Sequence, residues 1–246
     1  MTEGAAAVTT LVSGRLTVCT YGGFAPVCYK NPAGQLIGLD VSFLTRFAES
    51  LGLAIATIEQ PFDGIWKLPG GDVCDVAGAG VMQRADRLVG PCGSWSDAYF
   101  QVERSLLVRL AEKAEFDDYK NLTGKKIVVT KGSTADIDAQ KRYPHCTIQF
   151  VEDVVPMGQR DAQEYIVKTL IADRKADAFG EGDVSNQYLA NKYGRDVAGG
   201  LALADIHAIG GMTETFNFIT RNASSGVLER LNVFIALNKG CYAPKS

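Results

Sequence analysis

Residues 14–44 read GRLTVCTYGGFAPVCYKNPAGQLIGLDVSFL, and this stretch decides the predicted fold. An apolar strand around Leu16 leads into a glycine turn that carries Tyr21 and Phe24, and an amphipathic helix opens near Asp40. A strand, a turn and a helix in this order place the turn at the carboxyl end of a parallel strand, where open α/β sheets bind their ligands. The stretch therefore predicts an α/β fold with a small-ligand site at the turn.

The same alternation of strands and helices continues along the chain. Residues 71–87, GDVCDVAGAGVMQRADR, form a second strand that ends in a glycine-rich turn and an arginine. Strands that alternate with helices predict mostly parallel sheets flanked by helices. The predicted strands are residues 16–20, 54–59, 73–77, 105–110, 126–130, 147–151, 176–179 and 215–220, and the predicted helices are residues 41–51, 133–143, 159–174, 184–192 and 225–239.

Length and composition exclude several classes of protein. The chain has 246 residues, enough for one large or two modest domains, with 46% apolar and 22% charged residues. A net charge of −3 gives no reason to expect nucleic acid or an anionic membrane as a partner. The apolar runs are broken well before the roughly 18 residues that a membrane-spanning helix needs.

The six cysteines show neither CxxC nor CxxH spacing, so we expect no zinc site. We also expect no other metal and no cofactor. Cys19 and Cys74 lie in apolar strand runs, where we expect them to pack as reduced, small hydrophobic residues. In an exported protein some of the six could pair instead. The N-terminal residues MTEGAAAVTTLVSG lack the features of a signal peptide. They fit either a cytoplasmic protein or the mature form of an exported one.

The strand–turn–helix unit occurs twice, at residues 17–51 and again at residues 126–143, which suggests two lobes. The polar stretch 111–124 reads as a connector between them. In the second unit, Ser133 and Thr134 stand at the start of the helix. The free backbone N–H groups there can hold an anion. The alternative is an ordinary capped helix, since Ser and Thr are the usual N-cap residues.

Six short motifs follow one another in an order that resembles a known family. They are residues 21–26, 38–40, 77–87, 95–99 (WSDAY), 131–134 (KGST) and 176–183. In this order and spacing the chain, from about residue 14 to residue 240, resembles the type II periplasmic solute-binding proteins. The resemblance is greatest to the polar amino-acid binding group of ABC transporters.

The resemblance implies a two-lobed clamshell in which each lobe is a mostly parallel sheet flanked by helices. Lobe one would comprise residues 1–108 and 210–246, and lobe two residues 109–209. A small amino acid or related carboxylate would bind between the lobes of a monomer, and an ABC permease would be the partner. The location would be periplasmic or extracellular, with cytoplasmic as the alternative.

The resemblance also assigns roles in lobe one. Arg87 matches the family's arginine that binds the ligand carboxylate, which a planar guanidinium can grip with two parallel hydrogen bonds. The backbone of Ala79 and Gly80 would add polar contacts because glycine permits close approach. Phe24 and Phe62 would sandwich the ligand, with Tyr21 at its edge. The alternatives are a surface arginine and ordinary core packing.

In lobe two, the resemblance makes Ser133 and Thr134 cap the same carboxylate. Asp183 would face an α-ammonium group, with Glu181 as its rival, since the alignment of residues 181–183 is uncertain by a residue or two. Either acid could instead favour the helix dipole. Arg84 stands where the family commonly has threonine. It would either favour an additional acidic group on the ligand or point into solvent.

Two other functions compete with solute binding. Cyclohexadienyl (prephenate or arogenate) dehydratases resemble these binding proteins and need an acid in the cleft to protonate the leaving hydroxyl. Glu181 or Asp183 could supply that proton. A ligand-sensing domain would require a fused partner. We favour binding.

Overall fold

A computed structural model of the chain describes residues 7–159, 161–209 and 214–242. It contains two five-stranded sheets flanked by helices and a small three-stranded sheet. The predicted α/β class and two-lobed architecture are confirmed. We call the part built on the first sheet lobe one and the part built on the second sheet lobe two.

The first sheet has the strand order β5-β1-β6-β13-β7. Strand β1 runs parallel to β5 and β6, while β13 runs antiparallel to β6 and β7. The strands of lobe one, including the small sheet β2-β3-β4, are β1 (Arg15–Thr20), β2 (Gly23–Phe24), β3 (Cys28–Lys30), β4 (Leu36–Ile37), β5 (Ala54–Glu59), β6 (Val76–Ala77), β7 (Ser94–Val102) and β13 (Glu214–Thr220).

The second sheet has the strand order β10-β9-β11-β8-β12. Strand β9 runs parallel to β10 and β11, and β8 runs antiparallel to β11 and β12. Its strands are β8 (Arg104–Arg109), β9 (Lys126–Val129), β10 (Thr147–Phe150), β11 (Ala178–Gly182) and β12 (Leu201–His207).

Helices cover both sheets. The α-helices are α1 (Leu39–Ser50), α2 (Lys113–Asp117), α3 (Thr134–Arg142), α4 (Val151–Val154), α5 (Ala162–Tyr165), α6 (Asp183–Tyr193) and α7 (Val227–Asn238). Helix α5 continues as a π-helical segment, Ile166–Ile171. Short 3₁₀ turns occupy Ile65–Lys67, Pro69–Gly71, Leu110–Glu112, Tyr119–Asn121, Ala223–Ser225 and Lys239–Cys241. Helix α1 is amphipathic, as the sequence predicts, and its apolar residues Val41, Leu44, Phe47 and Ala48 are buried in the core.

A buried carboxylate joins helix α1 to the rest of lobe one. Asp40 is fully buried and accepts hydrogen bonds from the Tyr99 hydroxyl and the Gly80 N–H, both at 2.8 Å, and from the Tyr242 hydroxyl. The Tyr99 ring stacks on Phe218 with centroids 3.9 Å apart. Burial raises the pKa of Asp40 to about 6 even though the three donors act in the opposite direction.

The expectation that Cys19 and Cys74 are reduced was wrong, because they form a disulfide. Cys19 lies in β1, and Cys74 comes just before β6, the neighbouring parallel strand. The pairing of β1 with β6 brings together two cysteines that are 55 residues apart in sequence.

The predicted lobe boundaries stay predictions. Strand β8 pairs within the second sheet, so the chain passes between the sheets at Glu103, somewhat before the predicted boundary at residues 108 and 109. The second predicted boundary, between residues 209 and 210, adjoins residues 210–213, which lie outside the described residues, as do residues 1–6 and 243–246 of the predicted lobe one. Within the described residues, no helix has the length and apolar character needed to cross a membrane.

Candidate functional site

A small cavity of about 20 Å³ lies between the two sheets. Its walls come from segments that follow the carboxyl ends of β1, β6 and β9 and from the end of β11, as expected for an open α/β sheet. The lining residues are Tyr21, Phe24, Phe62, Gly80, Arg104, Thr130, Ser133, Thr134, Glu181, Glu214 and Phe216. This volume has room for about one water molecule, so an organic ligand requires the lobes to move apart.

Aromatic rings form the lobe-one wall of the cavity. The three rings predicted from the sequence, Tyr21, Phe24 and Phe62, all line it. Tyr21 packs edge-on against Phe62 with centroids 5.9 Å apart, and Phe24 packs in the same way against Phe216 at 5.9 Å. The place of Phe216 in this wall was not predicted, because apolar and polar residues alternate along its strand as they do in an ordinary core strand. These rings give the site an apolar wall that a ligand side chain can contact.

Gly80 lines the cavity, but its amide is already used. Its N–H donates to the buried Asp40, and a Cβ at this position would lie 2.6 Å from the Phe24 ring. Its φ of +59° is also a conformation that glycine adopts readily. Glycine here therefore lets an aromatic ring lie against the backbone. Ala79 is buried and is not among the lining residues.

Arg87 is almost completely buried beside the cavity, at 2% exposure, and is not among the residues that line it. Its Nη2 donates to the Gly132 carbonyl of lobe two at 2.8 Å, and its Nη1 donates to the Met82 carbonyl at 3.0 Å. The guanidinium carbon lies 4.7 Å from the centre of the Trp66 ring. Among the described residues, Arg87 Nε has no hydrogen-bond partner. The role of Arg87 as the carboxylate ligand stays a prediction.

Arg84 is paired within its own loop. Its Nε and Nη2 donate to the two carboxylate oxygens of Asp86 at 2.9 and 2.7 Å, and its Nη1 reaches the Thr134 hydroxyl at 3.4 Å. The residue does not line the cavity. The role of Arg84 in favouring an additional acidic group on the ligand stays a prediction.

The start of helix α3 forms part of the lobe-two wall. Ser133 and Thr134 line the cavity, and their role in capping the ligand carboxylate stays a prediction. The Ser133 hydroxyl accepts from the Asp136 N–H at 3.1 Å, and Asp136 in turn accepts from the Gly132 N–H at 3.0 Å. Ser133 is therefore the N-cap of α3, and the helix directs its positive end toward the cavity.

Of the two acids proposed for the ammonium group, Glu181 lines the cavity and Asp183 does not. Asp183 is the first residue of α6, where its Oδ1 accepts from the N–H groups of Glu103 and Val184. This is the helix-terminal role that the sequence left open. Glu181, at the end of β11, is buried.

A charged cluster of Arg104, Glu181 and Glu214 occupies the cavity wall, and sequence reasoning missed two of its members. Arg104 Nη1 donates to Glu181 Oε1 at 3.3 Å, and Arg104 Nε lies 2.7 Å from Glu214 Oε2. Their exposures are 3%, 7% and 3%, so the cluster is closed to solvent. Arg104 and Glu214 are the first residues of β8 and β13. Charged residues at the start of a strand usually face water, so nothing in the sequence indicated that these two are buried.

The cluster joins the two lobes and shifts the pKa of its members. Glu214 belongs to the lobe-one sheet, whereas Arg104 and Glu181 belong to the lobe-two sheet. Burial raises the pKa of Glu181, although Arg104 and the Gly182 N–H act against the rise. Burial lowers the pKa of Arg104, but Glu214 and Glu181 outweigh it and the net direction is upward. Glu181 is therefore protonated more easily than an ordinary glutamate.

A second, uncharged contact also joins the lobes, and we call it the neutral contact: Ala25, Gln163 and Ser185. The Ala25 N–H donates to Gln163 Oε1 at 2.8 Å, and the Ser185 hydroxyl donates to the Ala25 carbonyl at 2.6 Å. Gln163 Nε2 donates to Ser185 Oγ at 3.0 Å, and all three residues are buried. Two lobe-two side chains thus satisfy both backbone groups of one lobe-one residue.

No group of three or more His, Cys, Asp or Glu side chains within residues 7–159, 161–209 and 214–242 is arranged to hold a metal ion.

Comparison with known proteins identifies relatives of this chain. The cyclohexadienyl dehydratase of Pseudomonas aeruginosa is 25% identical over 174 residues, which is 68% of this chain and 59% of that protein, less than two thirds of its length. A binding component of an ABC transporter from Wolinella succinogenes, complexed with lysine, superposes with a TM-score of 0.77 at 21% identity, covering 94% of this chain and 93% of that one.

Two further solved structures share the fold. The ancestral amino acid-binding protein AncCDT-1, a precursor of cyclohexadienyl dehydratase, gives a TM-score of 0.75 at 20% identity, covering 93% and 92% of the two chains. The substrate-binding protein AbpA of Streptococcus pneumoniae, bound to L-arginine, gives 0.74 at 20% identity, covering 93% and 90%. The model of the bacterial extracellular solute-binding proteins, family 3, matches residues 16–239. The resemblance seen in the sequence is confirmed: the chain belongs to this family of extracellular solute-binding proteins.

Proposed function

We propose that the protein binds an α-amino acid between its lobes and delivers it to an ABC permease. The observation that carries the proposal is the make-up of the cavity. The positive end of α3, with Arg87 nearby, suits a carboxylate, and Glu181 and Glu214 suit an ammonium group. Aromatic rings form the remaining wall. A zwitterion with a side chain matches all three features.

The proposed mechanism is closure of the lobes on the ligand. In the closed arrangement the cavity has room for about one water molecule, so a ligand enters when the lobes separate and is then enclosed. Arg87 already contacts lobe two through Gly132, and a carboxylate can take the place of that carbonyl. Binding and closure are then linked, because the ligand contacts both lobes.

A periplasmic or extracellular location supports delivery to a permease. The family is one of extracellular proteins, and the Cys19–Cys74 disulfide is the kind of bond that persists in an oxidising compartment. That the protein acts as a monomer stays a prediction from the resemblance.

A thermal-shift screen of the purified protein against the twenty amino acids tests this function. A ligand at 100 times its Kd adds about 2.7 kcal/mol to the free energy of unfolding, which gives a visible rise in Tm. For the best ligand, titration calorimetry then compares Arg87→Lys with Arg84→Lys. We expect Arg87→Lys to weaken binding because lysine cannot make the bidentate contact, and Arg84→Lys to change it little. Absence of any stabilising amino acid would exclude the function.

One observation favours a second candidate, a cyclohexadienyl dehydratase-like reaction. Glu181 is a buried acid with a raised pKa on the cavity wall, which is the property that a general acid requires. Mass spectrometry of the protein mixed with prephenate or arogenate separates the two functions. Recovery of both compounds unchanged would exclude this reaction, whereas their conversion would establish the enzyme.

A further inference from the structure

The charged residues that line the cavity do not balance. In the part of the chain that the structure describes, the lining includes one guanidinium, Arg104, and two carboxylates, Glu181 and Glu214. All three are at most 7% exposed, so water screens their charges poorly. With every group ionised, these three groups carry one net negative charge, which the buried Arg87 guanidinium beside the cavity offsets only until a ligand carboxylate pairs with it. A buried excess charge is costly unless a partner of opposite sign neutralises it.

An α-amino acid supplies a partner of the required sign. Its carboxylate forms a neutral pair with Arg87, and its α-ammonium cancels the one excess negative charge. A ligand with a neutral side chain therefore leaves the closed cleft electrically balanced. A lysine or arginine side chain would add a second positive charge close to the Arg104 guanidinium, and burying like charges together is unfavourable.

Arg104 is the residue that sets this balance. It lies between the two carboxylates, with contacts of 3.3 Å to Glu181 and 2.7 Å to Glu214, and so neutralises one of them. Without Arg104, the same wall would present two uncompensated carboxylates, which is a site for two cations. The rings of Tyr21, Phe24, Phe62 and Phe216 offer apolar surface on the lobe-one side of the cavity to a ligand side chain.

We propose that Arg104 is a specificity-determining residue that restricts the cleft to α-amino acids with uncharged, mainly apolar side chains and excludes lysine and arginine. The proposal rests on the proposed function and deepens it. It distinguishes this chain from the relatives of the same fold whose structures hold lysine or L-arginine.

The first test is a comparison of ligands on the wild-type protein. Titration calorimetry measures the Kd of leucine, phenylalanine, lysine and arginine. We expect the better neutral ligand to bind at least about 30-fold more tightly than lysine or arginine. This factor corresponds to the lower end of the free-energy cost of leaving a buried charge unpaired. Lysine binding as tightly as the neutral ligands would overturn the role of Arg104 while leaving amino-acid binding intact. Failure of all four ligands, and of every other amino acid, would instead exclude the proposed function.

The second test is Arg104→Gln, measured at pH 8.5 because the pKa of Glu181 is raised by burial. We expect the ratio of the lysine Kd to the leucine Kd to fall by at least about 30-fold, because the ammonium group of the lysine side chain now has a carboxylate partner. The double variant Arg104→Gln/Glu214→Gln restores one net negative charge and should return the ratio toward the wild-type value. A ratio unchanged in Arg104→Gln would overturn the proposal.

Arg109 provides a matched control. It lies on the same strand, is 5% exposed and contacts two carboxylates, Glu112 at 2.7 Å and Asp177 at 3.1 Å, but it does not line the cavity. Arg109→Gln should leave the ligand ratio unchanged, even if it lowers the Tm. Should Arg104→Gln fail to fold, Arg104→Lys keeps the positive charge and must retain the preference for neutral ligands; equal affinity for lysine in that variant would contradict the proposal.

Discussion

Two of the regions where the lobes meet have opposite character, the charged cluster and the neutral contact. The charged cluster places Glu214 of lobe one against Arg104 of lobe two within the cavity wall. The neutral contact uses Gln163 and Ser185 to satisfy the backbone of Ala25 and lies outside the residues that line the cavity. Both are buried, yet only the first carries charges that a ligand can neutralise.

This difference separates two properties of a binding protein. The neutral contact stabilises the closed arrangement by the same amount whichever ligand is present, so it adjusts the affinity for every ligand equally. The charged cluster contributes differently for each ligand charge and therefore adjusts selectivity. We expect substitutions in the two regions to have separable effects on affinity and on preference.

The largest effect is expected from Glu181→Gln, which removes one carboxylate from the charged cluster. The α-ammonium of the ligand then has no uncompensated partner, and the affinity for a neutral amino acid should fall by about 2–5 kcal/mol. Asp183→Asn is the matched control, because Asp183 lies two residues away, does not line the cavity and accepts from the backbone N–H groups of Glu103 and Val184. Titration calorimetry of both variants decides the matter. A large loss in Asp183→Asn with none in Glu181→Gln would restore the assignment suggested by the family resemblance.

A smaller effect is expected from Gln163→Ala, which breaks the neutral contact. The Ala25 N–H loses its acceptor, at a cost of about 1–3 kcal/mol in the closed arrangement, so the lobes should open more readily. All ligands should lose affinity by one common factor, and the radius of gyration measured by small-angle X-ray scattering should increase in the absence of ligand. Gln187→Ala, on the exposed side of α6, is the control and should change neither. Affinity losses that differ between lysine and leucine would show that the two regions are not independent.

The residues that the structure brings together at the cavity, among those expected from the sequence, come from contiguous motifs, and their contacts with a ligand stay predictions. The aromatic turn at Tyr21 and Phe24, Gly80 and the start of α3 at Ser133 all line the cavity as expected. In each case a strand end, a turn and a helix start occur within a few residues, and the carboxyl edge of a parallel sheet brings such segments together.

The sequence could not reveal features that depend on distant segments meeting. Arg104 and Glu181 are 77 residues apart, and Ala25 and Gln163 are 138 residues apart. Strand β7 (Ser94–Val102) was not predicted, because polar residues interrupt its apolar pattern. The pairing of β13 with β7, which places Glu214 opposite Val102, could therefore not be predicted either. The disulfide was missed for the same reason, since it follows from the pairing of β1 with β6.

The pH dependence of binding gives the finest distinction between the two regions. Burial raises the pKa of Glu181, so this carboxylate becomes protonated at a higher pH than an ordinary glutamate as the solution is acidified. A protonated Glu181 cannot neutralise an ammonium group, and the affinity for an amino acid should therefore fall as the pH drops through that raised value.

The stability of the ligand-free protein should move in the opposite direction. Between the pKa of the unfolded chain and the raised pKa of the folded one, the folded state binds more protons, so the Glu181 contribution to stability is greatest at the lower pH and is lost as the pH rises. Calorimetric titrations and thermal melts from pH 4.5 to 8 measure the two trends. Glu181→Gln should flatten the pH dependence of binding. It should make the pH dependence of stability only less steep, because the buried Asp40, whose pKa is raised to about 6, contributes in the same direction. Gln163→Ala should keep both slopes and shift only the overall affinity. A pH dependence of binding that persists in Glu181→Gln would mean that another group holds the ammonium, and the charged cluster would then act on closure alone, as the neutral contact does.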